Sequence, residues 1–249
     1  MTELVKYAVA DSVATLTFDS PHNRNALSRQ LITEFHACME RSAADDAARV
    51  VVIRAEGRAF CSGADLSEAS SGSMEEGALA IVDLQRRIVT HPKPVVTRLH
   101  GAVRAGGIGI VAASDVAISA ADATFALTEV KLGLAPAAIS LTVLPRLTSR
   151  AAAWACLTGE TFTGAQAEEM GLVTKAVPEA ELDAEVERVC RSLVTGSPQG
   201  LRETKGLLAR PLLADIDAHG GDLAKLSARL FESDEAREAM LAFLSRKKG

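Results

Sequence analysis

Residues 101–115 constrain the fold of this chain more than any other stretch. The apolar, β-branched run Pro94-Val95-Val96-Thr97-Arg98-Leu99 precedes them and predicts a buried strand. The chain then passes Gly101, Gly106, Gly107 and Gly109 into an apolar segment too short to cross a membrane. A strand therefore enters a glycine turn, and a helix leaves it. Glycines let the backbone approach another group closely, and a helix N-terminus offers unpaired N–H donors with partial positive charge. That combination suits an anion, either a phosphate or an oxyanion formed during a reaction. Gly107-Ile108-Gly109-Ile110-Val111-Ala112 also fits a G-x-G-x-x-A dinucleotide fingerprint, with Glu129 about twenty residues on. Against this, His100 to Gly106 separate the first glycine from the strand end. A turn that only packs helix on strand is the third reading.

The 249 residues allow one large domain, or a domain with an appendage, and ample core. Hydrophobic residues are 48 % and charged residues 24 %, the balance of a globular protein; aromatics are only 4 %, so the core rests on small aliphatics. A formal net charge of −5 argues against general nucleic-acid binding. Cys38, Cys61, Cys156 and Cys190 are scattered without a C-x-x-C pair, which predicts reduced, packed thiols in a cytoplasmic protein. The histidines have no zinc spacing, and we expect no metal. No signal peptide or membrane span is read.

Along the chain, residues 4–10 and 13–18 predict a hairpin around Asp11-Ser12. Ser28 can cap a helix burying Leu31, Phe35, Cys38 and Met39. Val50-Val51-Val52-Ile53 predicts a buried strand. A second glycine loop, residues 56–66, follows it. Residues 67–77 read as a loop, and a helix carrying Leu79, Val82, Leu84, Ile88 and Val89 ends at Pro92 and Pro94. Strands are predicted near 116–119, 124–127 and 171–177. Helices occupy 139–147, 151–157 and roughly 179–247, with breaks near Ser197-Pro198 and His219-Gly220-Gly221. Alternating strands and helices closed by helices predict an α/β core, residues 1–195, with a helical C-terminal region, 196–249.

Four motifs in order give the chain a resemblance. They are Pro21-His22-Asn23-Arg24-Asn25-Ala26-Leu27; Ala59-Phe60-Cys61-Ser62-Gly63-Ala64-Asp65-Leu66; Ala105-Gly106-Gly107 with Ser114-Asp115; and Phe125-Ala126-Leu127-Thr128-Glu129 through Pro136. The chain resembles the crotonase superfamily, the enoyl-CoA hydratase/isomerase family, over nearly its full length. The resemblance implies a spiral of stacked ββα turns with C-terminal trimerisation helices, often paired into hexamers. It implies an acyl-CoA thioester substrate, with coenzyme A as part of the substrate and no separate cofactor. The thioester oxygen would lie between the amides of Ala64 and Gly106, and Glu129 would act as acid and base. Arg24, Ala26, Leu27, Asp65 and Leu66 would line the CoA side, Arg24 against a phosphate. Asp65 reads as a residue that shapes its loop. Phe243 and Lys247 would complete a neighbouring subunit's nucleotide site.

One departure matters. Typical hydratases of this family carry a second glutamate three residues after the Gly106 position, and this chain has Gly109 there. Water addition needs one proton removed from water and one given to the α-carbon. The expected activity is hydration of a 2-enoyl-CoA, with a branched or carboxylated acyl chain as one option and a second acid from Glu68, Glu75 or Glu76. The alternatives are a one-carboxylate Δ3,Δ2-enoyl-CoA isomerase and a non-catalytic CoA-ester-binding oligomer.

Overall fold

The predicted hairpin is present as two antiparallel strands, β1 (Val5–Ala10) and β2 (Val13–Phe18), turning at Asp11 and Ser12. In this computed structural model the described residues are 2–65, 68 and 73–246, with backbone alone for 243–246. Leu66 and Lys247, and the side chains of Phe243 and Leu244, lie outside the described residues. Helix α1 (Arg29–Ala44) starts at Ser28, whose hydroxyl accepts from the Leu31 amide, and buries Leu31, Phe35, Cys38 and Met39. Phe35 meets Phe18 at 5.7 Å between ring centres, and Phe18 meets Phe60 at 5.8 Å. All three rings are fully buried, and burial of each contributes about 2–3 kcal/mol toward locking the hairpin to α1.

Three similar turns follow. The first is β3 (Val50–Ala55), β4 (Ala59–Cys61) and α2 (Met74–Thr90). The second is β5 (Val95–Leu99), β6 (Ala102–Arg104) and α3 (Gly106–Ala113). The third is β7 (Val116–Ala120), β8 (Thr124–Ala126), a 3-10 turn at Glu129–Leu132 and α4 (Ala137–Arg146). Within these turns the first strands, β3, β5 and β7, join one sheet and the second strands, β4, β6 and β8, another. The six-stranded sheet runs β1-β2-β3-β5-β7-β10, and the four-stranded sheet runs β4-β6-β8-β9, where β9 is Phe162–Thr163 and β10 is Lys175–Val177. β3, β5 and β7 pair in parallel, as do β4, β6 and β8. Each ββα unit thus stacks on the one before, as the resemblance implies.

The remaining helices are α5 (Ser149–Thr158), α6 (Gly164–Glu169), α7 (Leu182–Thr195), α8 (Pro198–Phe231) and α9 (Asp234–Arg246). The sequence reading missed β9 and α6, which are only two and six residues long. The break predicted at His219-Gly220-Gly221 is absent, and α8 runs through it. Gly220 serves packing instead: a Cβ there would lie 2.8 Å from Val82 Cγ1, so the missing side chain lets α8 touch α2. Leu79, expected inside, is 41 % exposed, because α2 turns Ala78, Ile81 and Val82 inward. Lys205 of α8 is buried and donates to Asp115 Oδ2 at 2.7 Å and to the carbonyls of Ile88 and Lys93.

Candidate active site

Two loops meet at one point. Leu27 pairs with Ala64 across a parallel bridge, its amide donating to Gly63 O and its carbonyl accepting from the Asp65 amide. This pairing turns the Ala64 amide away from Leu27. Gly63 has φ +92, and a Cβ there would lie 2.9 Å from the Cβ of Ala105. Only glycine gives this backbone direction without strain and lets the loops touch. Ala105 itself has φ +44 just before α3, so Gly106 is the first helical residue and its amide has no intrahelical acceptor. Neither the Ala64 nor the Gly106 amide has an acceptor among the described residues. Cys61 lies beneath, its sulfur 3.5 Å from the Gly63 amide, its thiol pushed up to about 12 by complete burial.

Both amides border a cavity of about 540 Å³ lined by Leu27, Ala64, Asp65, Gly106 and Glu129 together. The 3-10 turn that starts at Glu129 is closed by Leu134 N–H donating to Glu129 O and by Gly133. Glu129 Oε2 is buried without a hydrogen-bond partner. Burial raises its pKa from 4.5 to about 7, and its own amide offsets only part of that shift. A carboxyl poised there can take and return a proton near neutral pH. The α3 N-terminus and two unpaired amides can stabilise an oxyanion; one such donor is worth about 3–4 kcal/mol of barrier.

The other expected residues divide. Asp65 accepts from Asn23 Nδ2 at 3.0 Å, which ties the 21–27 loop to the 59–65 loop. Arg24 is exposed at φ +60 and Ala26 is buried; neither lines the cavity. Of the three second-acid candidates, Glu68 and Glu76 line the cavity and Glu75 does not. Glu68 also accepts from the Arg29 amide at 2.9 Å, at the start of α1. The space beside Gly109 is bounded by side chains of the protein. A Cβ on Gly109 would lie 2.8 Å from Ile139 Cγ2 and 3.2 Å from Gln85 Cδ and Oε1, so the protein occupies that space itself.

Several lining residues were not singled out from sequence. Ile32, Thr33 and His36 come from one face of α1, Ile81 and Asp83 from α2, and Phe231 from the end of α8. The i, i+4 spacing of Ile32 and His36 was readable, but not which helix would face it. Among the described residues no group of three or more His, Cys, Asp or Glu side chains is placed to hold a metal ion. No described helix is long and apolar enough to cross a membrane.

The stacked ββα spiral thus brings two unpartnered amides and a buried carboxyl oxygen to one cavity. The sequence profile of the enoyl-CoA hydratase/isomerase family matches residues 8–249, and the chain belongs to that family. It is 32 % identical to the "Probable enoyl-CoA hydratase" of Bacillus subtilis (strain 168), over 98 % of this chain and 96 % of that one. It is 27 % identical to the peroxisomal Δ(3,5)-Δ(2,4)-dienoyl-CoA isomerase of Arabidopsis thaliana, over 99 % and 95 %. The crystal structure of an enoyl-CoA hydratase from Mycobacterium avium superposes with a TM-score of 0.92 at 46 % identity, covering 99 % of this chain and 98 % of that one.

Proposed function

We propose that this enzyme moves a proton between carbons 2 and 4 of a 3-enoyl-CoA, with Glu129 as the single acid and base. The observation that carries this reading is the buried, unpartnered oxygen of Glu129 in the cavity bordered by the two amides. The Glu129 carboxylate takes a proton from carbon 2. The electrons pass to the thioester oxygen, giving a dienolate held by the Ala64 and Gly106 amides. The same carboxyl returns the proton to carbon 4, and the double bond ends between carbons 2 and 3. No water is consumed, so one carboxyl suffices. The filled space at Gly109 favours this isomerisation over the hydration expected from sequence.

Hydration of a 2-enoyl-CoA is the second reading, supported by Glu76 and Glu68 on the cavity wall. An acyl-CoA panel separates the two. Isomerisation makes the conjugated thioester absorbance grow on 3-enoyl-CoA; hydration makes it fall on 2-enoyl-CoA. Glu129→Gln lowers either rate by about 10²–10⁴-fold, the usual contribution of a general acid–base group. Full activity in that variant leaves only thioester binding, the third possibility.

For the coenzyme, Arg24 stands on an exposed loop bonded to the oxyanion loop through its own carbonyl, which accepts from Ser62 N–H at 3.1 Å. We assign it to a CoA phosphate. Exposed Leu157 at 73 % and Leu208 at 76 % support assembly into a trimer or hexamer. Sedimentation equilibrium at micromolar concentration is expected to return a multiple of three chains; a monomer overturns that assignment.

A further inference from the structure

Gln85 lies on α2 and is 1 % exposed, a long polar side chain sunk among apolar neighbours. Both of its N–H donors and its oxygen are bonded inside the protein. Its Nε2 donates to Ile81 O and to Ala138 O, both at 2.9 Å, and its Oε1 accepts from Thr142 Oγ1 at 2.5 Å. Ile81 and Ala138 both line the cavity, one on α2 and the other on α4. The amide therefore fastens two walls of the site to each other. Its end also fills the volume into which a side chain at Gly109 would project, together with Ile139, which itself lines the cavity.

We propose that Gln85 is a positioning residue that confines the reaction to one carboxyl: it excludes an acid at position 109 and sets the width of the cavity between Ile81 and Ala138. This rests on Glu129 being the proton carrier. A neutral amide suits the place, because a carboxylate could not donate to two carbonyls and would be buried beside them. Both carbonyls lie within helices, where the amide four residues on also bonds them. Gln85→Met thus removes the fastening without stranding a carbonyl, and the variant is expected to fold.

Two measurements test this, one independent of activity. Thermal unfolding of Gly109→Glu alone should show a clear loss of stability. Adding Gln85→Ala should recover part of it, since it relieves the 3.2 Å contacts of Gln85 while the 2.8 Å contact with Ile139 Cγ2 stays. No recovery overturns the exclusion. In turnover, Gln85→Met should lower kcat about tenfold through misplacement of the cavity walls while KM for the thioester changes little. An unchanged kcat overturns the positioning role and leaves Gln85 as packing. The double variant should also add water to a 2-enoyl-CoA at least tenfold faster than the parent; a rate no higher than the parent's overturns the assignment of reaction choice. If Glu129→Gln keeps full activity, the proton-carrier reading fails by itself, while the unfolding comparison still decides the exclusion.

Discussion

Glu129 sets chemistry against stability at the scale of one residue. Its folded pKa of about 7 stands above the ordinary 4.5 because burial disfavours the charge. Between those two values the folded chain holds a proton that the unfolded chain has released. Stability therefore falls as pH rises through that window, and the loss is complete above about pH 7. Glu129→Gln removes the titration, so the variant should be more stable than its parent at pH 8 by about 3 kcal/mol, with the difference vanishing near pH 4. Urea unfolding at the two pH values checks this. Equal stability at pH 8 would mean that the carboxyl is solvated in solution. In the parent, proton removal should rise with pH and level off above about 7. Glu129 and the missing acid at 109 were legible in sequence, because a turn carboxyl and a glycine are plain one-residue facts. That its oxygen has no partner, and that burial raises its pKa, depended on every neighbouring element.

At the scale of elements, the pair of unpartnered amides belongs to two loops rather than to two residues. β4 and β6 are parallel neighbours, so the loops leaving them emerge side by side. Gly63 and Ala105 then touch at their Cβ positions. Gly63→Ala would put a methyl group on a backbone at φ +92 and 2.9 Å from Ala105 Cβ. We expect kcat to fall about 10²-fold, the cost of an ångström-scale misplacement, with the fold retained. Near-normal kcat with intact circular dichroism would show that loop contact does not position the amides. Both glycine loops could be located from the motif and from the strand runs before them. Their touching could not, because Gly63 and Ala105 are brought together by strand order, which local pattern leaves open.

For the whole molecule, α8 closes the site from a distance. One end is held by Lys205, buried against Asp115, and the other delivers Phe231 to the cavity. Asp115 also accepts from the Val95 amide at 2.7 Å, so this pair joins the C-terminal helix to the start of β5. Lys205→Met keeps the stem and removes the ammonium, leaving Asp115 without its cation. A loss of about 3 kcal/mol is expected, as for other broken buried pairs. A midpoint unchanged in guanidinium would mean that the pair contributes nothing net. The sequence placed a helical region here but put a break at Gly220. A glycine inside a helix carries a local cost of about 1 kcal/mol. Its compensation, close contact with Val82, needs α2 to lie alongside.

The sequence alone determined the periodicities, and with them the hairpin, the strand–turn–helix alternation, the Ser28 cap and the family motifs. It also determined the inventory of acids, since Gly109 carries no side chain in any fold. These depend on neighbours along the chain and on which residue stands at each position. The tertiary structure decided what fills empty space. It put Gln85 and Ile139 beside Gly109, and it ran α8 unbroken through Gly220. Occupancy of a volume is set by side chains from elements far apart in sequence, here α2, α3 and α4, and close packing lets only one of them have it.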